Sequence, residues 1–408
     1  MSETATPAVT NPVRTAGVWQ AVLLLAGSCM PVLGSVLLTP VLPQLSAHFA
    51  GVPGADILVP MIVAIPALII AIFAPFAGQI VDRLGRKKLL VTAMIAYSLV
   101  GTAPVWLSGL PEILFSRVLV GVCEAAIMTV CTTLIVDYFH DERRRNRYLG
   151  LQTVVTTLAA TVFIALGGAL GVGGWHTPFW VYAISIIIAI PMIFSLWEPS
   201  GTDPTDAHVV GGQRARVPWK QIAWPLLVTL LGGFTFYVML IETSYLVVGA
   251  GVAATNTSVI GAVSAVAALA TAIGGLLFAR FVKRRPQRLV PVAFAVQAVG
   301  MLLIGLVHAL PGVIAGAVIT SFGAGLLLPS MVTWVLASTQ FEDRGRVTGW
   351  WMTAFYLGQF LTPILVGGIT VAVGGLSAAV AVVGVLAVVL AIVTGISVRR
   401  TRVAAPSA

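Results

Sequence analysis

Twelve apolar stretches, each long enough to cross a lipid bilayer as a helix, constrain the fold of this chain more than any other feature. A spanning helix needs about 20 consecutive, mostly apolar residues. Only helices and closed barrels can cross the hydrocarbon with every backbone group hydrogen-bonded. The sequence therefore predicts an all-α membrane protein with twelve transmembrane helices, over residues 18–43, 57–81, 88–109, 111–137, 148–171, 177–197, 222–248, 257–281, 288–309, 311–337, 347–372 and 375–397.

The composition is that of a membrane protein and excludes several other classes. Hydrophobic residues make up 58% of the chain and charged residues only 9%, whereas a soluble domain has about 25% charged residues. The net charge of +9 does not indicate nucleic-acid binding, because the basic residues lie in short gaps between apolar stretches. The sequence has no phosphate-binding loop, zinc-ligand spacing or nucleophile motif. We therefore expect no enzymatic activity, no ATP-driven transport, no metal and no cofactor.

The positions of Lys and Arg predict the orientation of the chain. Of the 23 basic residues, 22 lie in one set of connections, at the adjoining helix ends or in the terminal segments, and the exception is Arg117. The opposite connections contain none. Because basic loops stay on the cytoplasmic side, we expect both termini to be cytoplasmic in a multi-pass protein of a bacterial inner membrane.

One long polar gap, at 198–220, divides six apolar stretches from six others. Its Gly, Pro and charged residues are typical of a linker. The predicted organisation is a flexible cytoplasmic tail, a six-helix bundle, a cytoplasmic linker, a second six-helix bundle and a cytoplasmic tail, at residues 1–17, 18–197, 198–221, 222–397 and 398–408.

The two halves are similar to each other at an offset of about 200 residues. LPEILFSRVLVG at 110–121 corresponds to LPGVIAGAVITS at 310–321, and GQIVDRLGRKK at 78–88 corresponds to GLLFARFVKRR at 275–285. Two related six-helix halves are typical of secondary transporters that move around a central site. The repeat therefore favours alternating access over a channel.

GQIVDRLGRKK resembles the signature loop of the major facilitator superfamily, G-x-x-x-D-R-x-G-R-K/R, and Arg117-x-x-x-Gly121 resembles the membrane arginine motif of that family. The resemblance implies the major facilitator fold, with two pseudo-symmetric six-helix bundles and a loop that acts as a cytoplasmic gate. Glycines in such a loop permit a tight turn, and its arginines can pair with acids. The residues assigned to this gate are Gly78, Asp82, Arg83, Gly85, Arg86 and Asp137.

One motif of the drug exporters in this family is missing from the fifth stretch. Proton antiporters that export drugs usually carry a Gly-Pro pair just before a Gly-Gly pair. Gly167 and Gly168 are present here, but Phe163 and Ile164 occupy the Gly-Pro positions.

The fourth stretch carries Arg117 and Glu124 where the second half has Ala317 and Ala324. At about 100° and 1.5 Å per residue, seven positions return Glu124 to nearly the face of Arg117, roughly 10 Å further along the helix. Helix side chains lean toward the N-terminus, so we expect Glu124 to lean toward Arg117. A charge this deep costs at least ~2.5–3.5 kcal/mol, so the two side chains must face a polar cavity or each other.

Three roles are open for these two residues. We favour proton coupling, in which Glu124 gains and loses a proton as its hydration changes. Arg117 then either adjusts the proton affinity of Glu124 or receives an anionic group. The alternatives are a static buried pair that positions the helix, and direct substrate binding. A glutamate seven residues after the membrane arginine also resembles a pattern in superfamily members that move organic anions.

Other polar side chains within the stretches are candidates for lining a substrate cavity. Glu242 lies near the outer interface, where it is either an exposed acid or part of an outer gate. The complete set of candidates is Tyr237, Glu242, Gln152, Thr156, Tyr356 and Gln359.

The sequence as a whole predicts a proton-coupled secondary transporter that works by alternating access. Export of a small amphipathic molecule, a drug or a metabolite, is the first interpretation because the chain resembles twelve-span exporters. The alternative is proton-coupled uptake of a small organic acid, and a remote one is a membrane sensor without flux. The expected partners are a small-molecule substrate, protons and the lipid bilayer, and the protein is expected to be a monomer.

Overall fold

The computed structural model describes residues 16–199, 219–281, 286–337, 339 and 343–403. Twelve helical spans in this part of the chain are long and apolar enough to cross a membrane, which confirms the predicted fold class. We number them as helices 1 to 12: Val18–His48, Ala55–Val81, Arg86–Val105, Leu110–Tyr138, Glu142–Gly171, Thr177–Ser195, Ile222–Gly249, Thr257–Phe278, Leu289–Leu306, Leu310–Ala337, Gly345–Val373 and Leu376–Val398.

Helix 1 is broken rather than continuous. It consists of three α-helical segments and one 3₁₀ turn, namely Val18–Ser28, Met30–Val36, Thr39–Val41 and Leu42–His48. Pro31, Pro40 and Pro43 each stand in the first turn of a segment, where the missing amide hydrogen of proline leaves no helical bond unmade. The predicted end of this span at residue 43 was too early, because Pro43 starts a helical segment.

The two halves repeat the same helix packing. Helix 4 packs against helices 2 and 3 in the first half, as helix 10 packs against helices 8 and 9 in the second. Helices 3 and 6 pack together, as do helices 9 and 12. This repetition confirms two pseudo-symmetric six-helix bundles. The predicted domain boundaries stay predictions, and most of the tail at 1–17 and of the linker at 198–221 lies outside the described residues.

The two ends of the helix bundle differ in the charge of their loops. Arg83, Arg86, Lys87 and Lys88 lie around the junction of helices 2 and 3, and a second basic run, at 143–147, begins helix 5. We call the end of the bundle that carries these residues the basic end and the other the opposite end. The assignment of the basic end to the cytoplasm stays a prediction.

Candidate transport site

A cavity of about 530 Å³ lies between the two halves. Its wall is formed by helices 1, 2, 4 and 5 of the first half and by helices 7, 8, 10 and 11 of the second. The lining residues of helices 4 and 8 fall mainly in the second part of each helix, which runs toward the basic end. The cavity therefore extends from the middle of the bundle toward the basic end.

Five of the six predicted cavity residues line this space: Gln152, Thr156, Tyr237, Tyr356 and Gln359. The sixth, Glu242, does not. It lies further along helix 7 toward the opposite end, where the helices pack closely, and it is only 6% exposed. Glu242 is therefore neither a residue of this cavity nor an exposed interfacial acid.

The lining of the cavity is mostly apolar and, among the described residues, no lining side chain is an acid, a base or a histidine. Some of its polar groups already have protein partners. The Gln152 side-chain amide donates to the hydroxyls of Ser28, at 2.8 Å, and Thr132, at 3.1 Å. The Tyr356 hydroxyl meets the thioether of Met128 at 3.5 Å, and the Ser264 hydroxyl has no partner within the described chain. These two hydroxyls can bond to a polar group of a ligand.

Hydrogen bonds between the halves close the opposite end. The Tyr237 hydroxyl donates to the carbonyl oxygen of Val63 at 2.8 Å. The hydroxyls of Ser46 and Tyr245 lie 2.9 Å apart. Helix 7 is thereby tied to helices 1 and 2 beside the cavity.

Helices 5 and 8 approach each other closely at the same end. The Thr257 hydroxyl donates to the carbonyl oxygen of Gly168 at 2.8 Å. A Cβ atom added to Gly168 would lie 2.6 Å from the Cα atom of Gly261, and a Cβ atom on Gly167 would overlap the carbonyl oxygen of Leu37. The two adjacent glycines that remain in helix 5 thus allow contact with helix 8 and with helix 1.

The predicted gate loop forms an ion pair within the first half. Arg86 pairs with Asp137 of helix 4, as the sequence suggested. Gly85 has φ +80°, a left-handed conformation that glycine adopts without strain. Arg83 is exposed, and the side chain of Asp82 lies outside the described part of the structure.

Two details of the loop differ from expectation. Gly78, which the resemblance assigned to the gate, has open space around it, since a Cβ atom there would meet no heavy atom within 4 Å. Nothing in the sequence singled out Glu198, which accepts hydrogen bonds from the backbone amides of Arg86 and Lys87 at 2.5 and 2.9 Å. A carboxylate at the N-terminus of helix 3 is favourable because the free amides and the helix dipole are positive there.

Arg117 is 1% exposed and is held by helix 3. One terminal nitrogen, Nη2, donates to the carbonyl oxygens of Val100 and Gly101, both at 3.1 Å. The guanidinium carbon lies 5.3 Å from the ring centre of Phe179 and 5.1 Å from that of Tyr182. Contacts of this kind with aromatic faces stabilise a buried cation.

Glu124 is fully buried and does not bond to Arg117. Both of its carboxyl oxygens lack a hydrogen-bond partner in the described chain. A Cβ atom on Gly34 of helix 1 would overlap one of them. No hydrogen bond therefore joins Glu124 to Arg117 in the described chain, because the carbonyls of helix 3 and the rings of helix 6 hold the guanidinium.

The chain resembles known membrane transporters along nearly its whole length. Residues 23–255 and 251–407 match the family described as Major Facilitator Superfamily. Multidrug resistance protein 2 of Bacillus subtilis is 29% identical over 180 residues, which are 43% of this chain and 44% of that protein. Multidrug resistance protein 1 of Bacillus subtilis is 24% identical over 363 residues, 85% of this chain and 88% of that protein. The match to the first relative thus spans less than half of its length.

A solved structure shares the fold. The crystal structure of a bacterial homolog of the human lysosomal transporter Spinster, in an inward-facing and unoccupied conformation, has a TM-score of 0.71 and 18% sequence identity. The match covers 93% of this chain and 95% of that one.

Proposed function

Because this chain belongs to the Major Facilitator Superfamily, we propose that it is a proton-coupled transporter that exports a small, amphipathic and predominantly uncharged molecule. The observation that carries this proposal is the cavity between the halves. It reaches toward the basic end, is closed at the opposite end, and has a mostly apolar lining in which the described side chains carry no charge. Binding sites of this composition suit ligands held by apolar contact and a few hydrogen bonds.

The same cavity favours this proposal over uptake of an organic acid. A carboxylate that leaves water needs a cationic partner, and the described lining residues include no Lys, Arg or His. Arg117 does not line the cavity, and its Nη2 is occupied by helix 3 carbonyls. The described lining of the cavity therefore offers an organic acid no cationic partner.

The names of the relatives support export rather than import. Both Bacillus subtilis proteins are named for multidrug resistance, which suits the removal of amphipathic compounds. The missing Gly-Pro pair of helix 5 counts against a drug antiporter, but Gly167 and Gly168, which follow that position, still allow the close contacts of helix 5 with helices 1 and 8.

Glu124 is the proposed proton carrier. It is an acid at 0% exposure without a hydrogen-bonded base in the described chain, and an ionised carboxylate in such a place is costly. Protonation removes that cost, so Glu124 binds a proton when buried and releases it when a conformational change hydrates it.

Transport by the purified protein in liposomes tests the proposal. We would impose a pH gradient and follow three labelled probes of similar size: a neutral amphipathic compound, a lipophilic cation and an organic acid. We expect the neutral compound to be moved against its gradient and opposite to the proton flow. Gradient-driven accumulation of the organic acid alone, in the direction of the proton flow, would refute the proposal.

A further inference from the structure

Glu124 and Arg117 lie in a buried polar region inside the first half, which we call the polar pocket. These side chains are exposed by only 0% and 1%. Both carboxyl oxygens of Glu124 and the Nη1 atom of Arg117 lack hydrogen-bond partners among the described residues. Buried polar groups in native proteins nearly always have a partner, from the protein or from ordered water. The free atoms therefore point to a small polar molecule that the pocket holds.

Two tyrosines lie beside these charged side chains. The rings of Tyr97 of helix 3 and Tyr182 of helix 6 are 5.2 Å apart, and Tyr182 also covers the guanidinium of Arg117. The Tyr97 hydroxyl and the carboxyl carbon of Glu124 each lie 3.0 Å from the position that a Cβ atom of Gly34 would take. The four side chains thus form one continuous cluster across helices 3, 4 and 6.

The two tyrosine hydroxyls differ in their bonding. The Tyr97 hydroxyl donates to the carbonyl oxygen of Met30 at 2.6 Å, so its hydrogen is already used. The Tyr182 hydroxyl makes no hydrogen bond of standard geometry in the described chain, although it lies close enough to Arg117 to interact with that side chain. The pocket therefore offers two unused donors, Tyr182 and Nη1 of Arg117, and the unused acceptors of Glu124.

We propose that this pocket binds water and that Tyr182 is the positioning residue that holds the water between Arg117 and Glu124. Water both donates and accepts, so one or two molecules can satisfy the free groups at once. Water also provides the contact through which the Glu124 carboxyl exchanges its proton. The role in coupling rests on the proposed function, whereas the water site itself does not.

Several other groups influence the charge of Glu124. The titratable or charged side chains that interact electrostatically with it come from helices 3, 4, 6, 7 and 11 and are Tyr97, Arg117, Cys123, Tyr182, Tyr237 and Tyr356. Of these, only Tyr237 and Tyr356 line the cavity. A change at Tyr182 should therefore alter proton binding at Glu124 and leave substrate affinity unchanged.

The infrared spectrum of Glu124 tests the proposal. The carboxylic-acid C=O band of this residue is found by subtracting the spectrum of Glu124→Gln from that of the wild type across a range of pH. Tyr182→Phe keeps the ring beside Arg117 but removes the hydroxyl. We expect the band to move to higher frequency, and the pH at which it is half-formed to rise by about one unit, a tenfold tighter binding of the proton. The reason is that the ionised carboxylate loses its bridged hydrogen bond.

Tyr148→Phe is the matched control. Tyr148 lies in the same half and packs on Phe139, with ring centres 4.4 Å apart, outside the pocket. Tyr148→Phe should leave unchanged both the frequency of the Glu124 band and the pH at which that band is half-formed. If the Glu124 band of Tyr182→Phe has the wild-type frequency and is half-formed at the wild-type pH, the water site is overturned.

A second measurement uses the wild-type protein alone, in case Tyr182→Phe does not fold. In deuterated water the Glu124 band should shift within minutes, because bridging water delivers the exchangeable deuteron. A band that stays unshifted for hours would overturn the proposal. If these spectra behave as expected while Glu124→Gln retains full gradient-driven transport, the water site stands and the proposed proton coupling fails.

Discussion

At the scale of single residues, the proposed proton coupling depends on Glu124 and Arg117, which are both buried in helix 4. Arg117 and Glu124 were conspicuous because charge is rare in a membrane helix, and spacing along one helix placed them on one face. The neighbours of the Arg117 guanidinium, Val100, Gly101 and Tyr182, belong to helices 3 and 6. Contacts between helices depend on tertiary packing, and helical periodicity carries no information about them.

Replacement of Glu124 by glutamine should abolish transport that is driven by a pH gradient. The amide has nearly the same shape but cannot gain or lose a proton, so the cycle loses its coupling step while the cavity stays intact. Exchange of labelled for unlabelled substrate, without a gradient, should continue. The rate of gradient-driven transport and the rate of substrate exchange are measured in the same liposomes.

Glu112→Gln is the matched control, because Glu112 is exposed in the first turn of the same helix. It should behave like the wild type. Substrate accumulation by Glu124→Gln at the wild-type level would disprove proton coupling through this residue.

Replacement of Arg117 by lysine should destabilise the protein. Lysine keeps the charge but lacks the planar fork that reaches two carbonyls and stacks on two rings. Hydrogen bonds to charged groups contribute about 1.5–3 kcal/mol each, so the thermal unfolding midpoint in detergent should fall by several degrees.

The exposed residue Arg143 provides the comparison for this change. Arg143→Lys should leave the unfolding midpoint within error of the wild-type value. An Arg117→Lys protein as stable as the wild type would show that the bonds to helix 3 contribute little.

At the scale of helices, the sequence predicted the number of membrane-spanning helices. It did not predict where helix 1 is broken. Twelve apolar stretches sufficed to place twelve spans, because length and hydropathy determine whether a helix can cross a bilayer. The breaks in helix 1, where Pro40 and Pro43 stand in the first turn of successive segments, depend on how neighbouring helices pack around those segments. The close approach of Gly168 to Gly261 likewise depends on how the halves dock.

Replacement of Gly168 by valine should prevent the opposite end from closing. The added side chain would meet the Gly261 backbone and the carbonyl oxygen of Thr257, at 2.6 and 2.7 Å from its Cβ atom. Backbone at this distance cannot give way locally, so helices 5 and 8 must separate. Spin labels at Val172 and Ser258, with the native cysteines replaced by alanine, should report a longer distance by pulsed electron resonance.

Gly368→Val is the control for that substitution, because a Cβ atom there meets nothing within 4 Å. It should leave the distance distribution unchanged. An unchanged distribution in Gly168→Val would show that this glycine contact is not part of the closed end.

The ion pair of the gate loop should show energetic coupling. Arg86 and Asp137 are 20% and 15% exposed, so their interaction is worth about 1 kcal/mol, roughly a fivefold change in transport rate. Arg86→Gln and Asp137→Asn should each slow transport by about that factor. The double variant should be no slower than either single one, because the interaction can be lost only once. Losses that multiply would show that the two residues act independently.

At the scale of the whole molecule, the internal repeat predicted the architecture because both halves are built on the same helix packing. The repeat also showed that the charges of helix 4 are specific to the first half, since Ala317 and Ala324 stand in the second. The sequence did not predict at which end the cavity is closed. That depends on where the two halves meet, and in this structure they meet at the opposite end, through hydrogen bonds of Tyr237, Tyr245 and Thr257.

Substrate and proton have separate places in the proposed transport cycle. We propose that the substrate occupies the cavity between the halves, whose described lining is uncharged, and that the proton binds at Glu124 within the first half. Because one conformational change governs both places, movement of either species should drive the other. The opposite directions of the two flows distinguish an exporter that exchanges substrate for protons from an importer.

Proton flux driven by the substrate alone distinguishes exchange of substrate for protons from uncoupled or same-direction transport. Liposomes that contain the protein and a trapped pH-sensitive dye, with no initial pH gradient, would receive a neutral amphipathic substrate on one side. We predict that protons move opposite to the substrate, that the dye reports this at once, and that Glu124→Gln abolishes the signal. Substrate movement without a proton signal, or protons that move in the same direction as the substrate, would contradict the account.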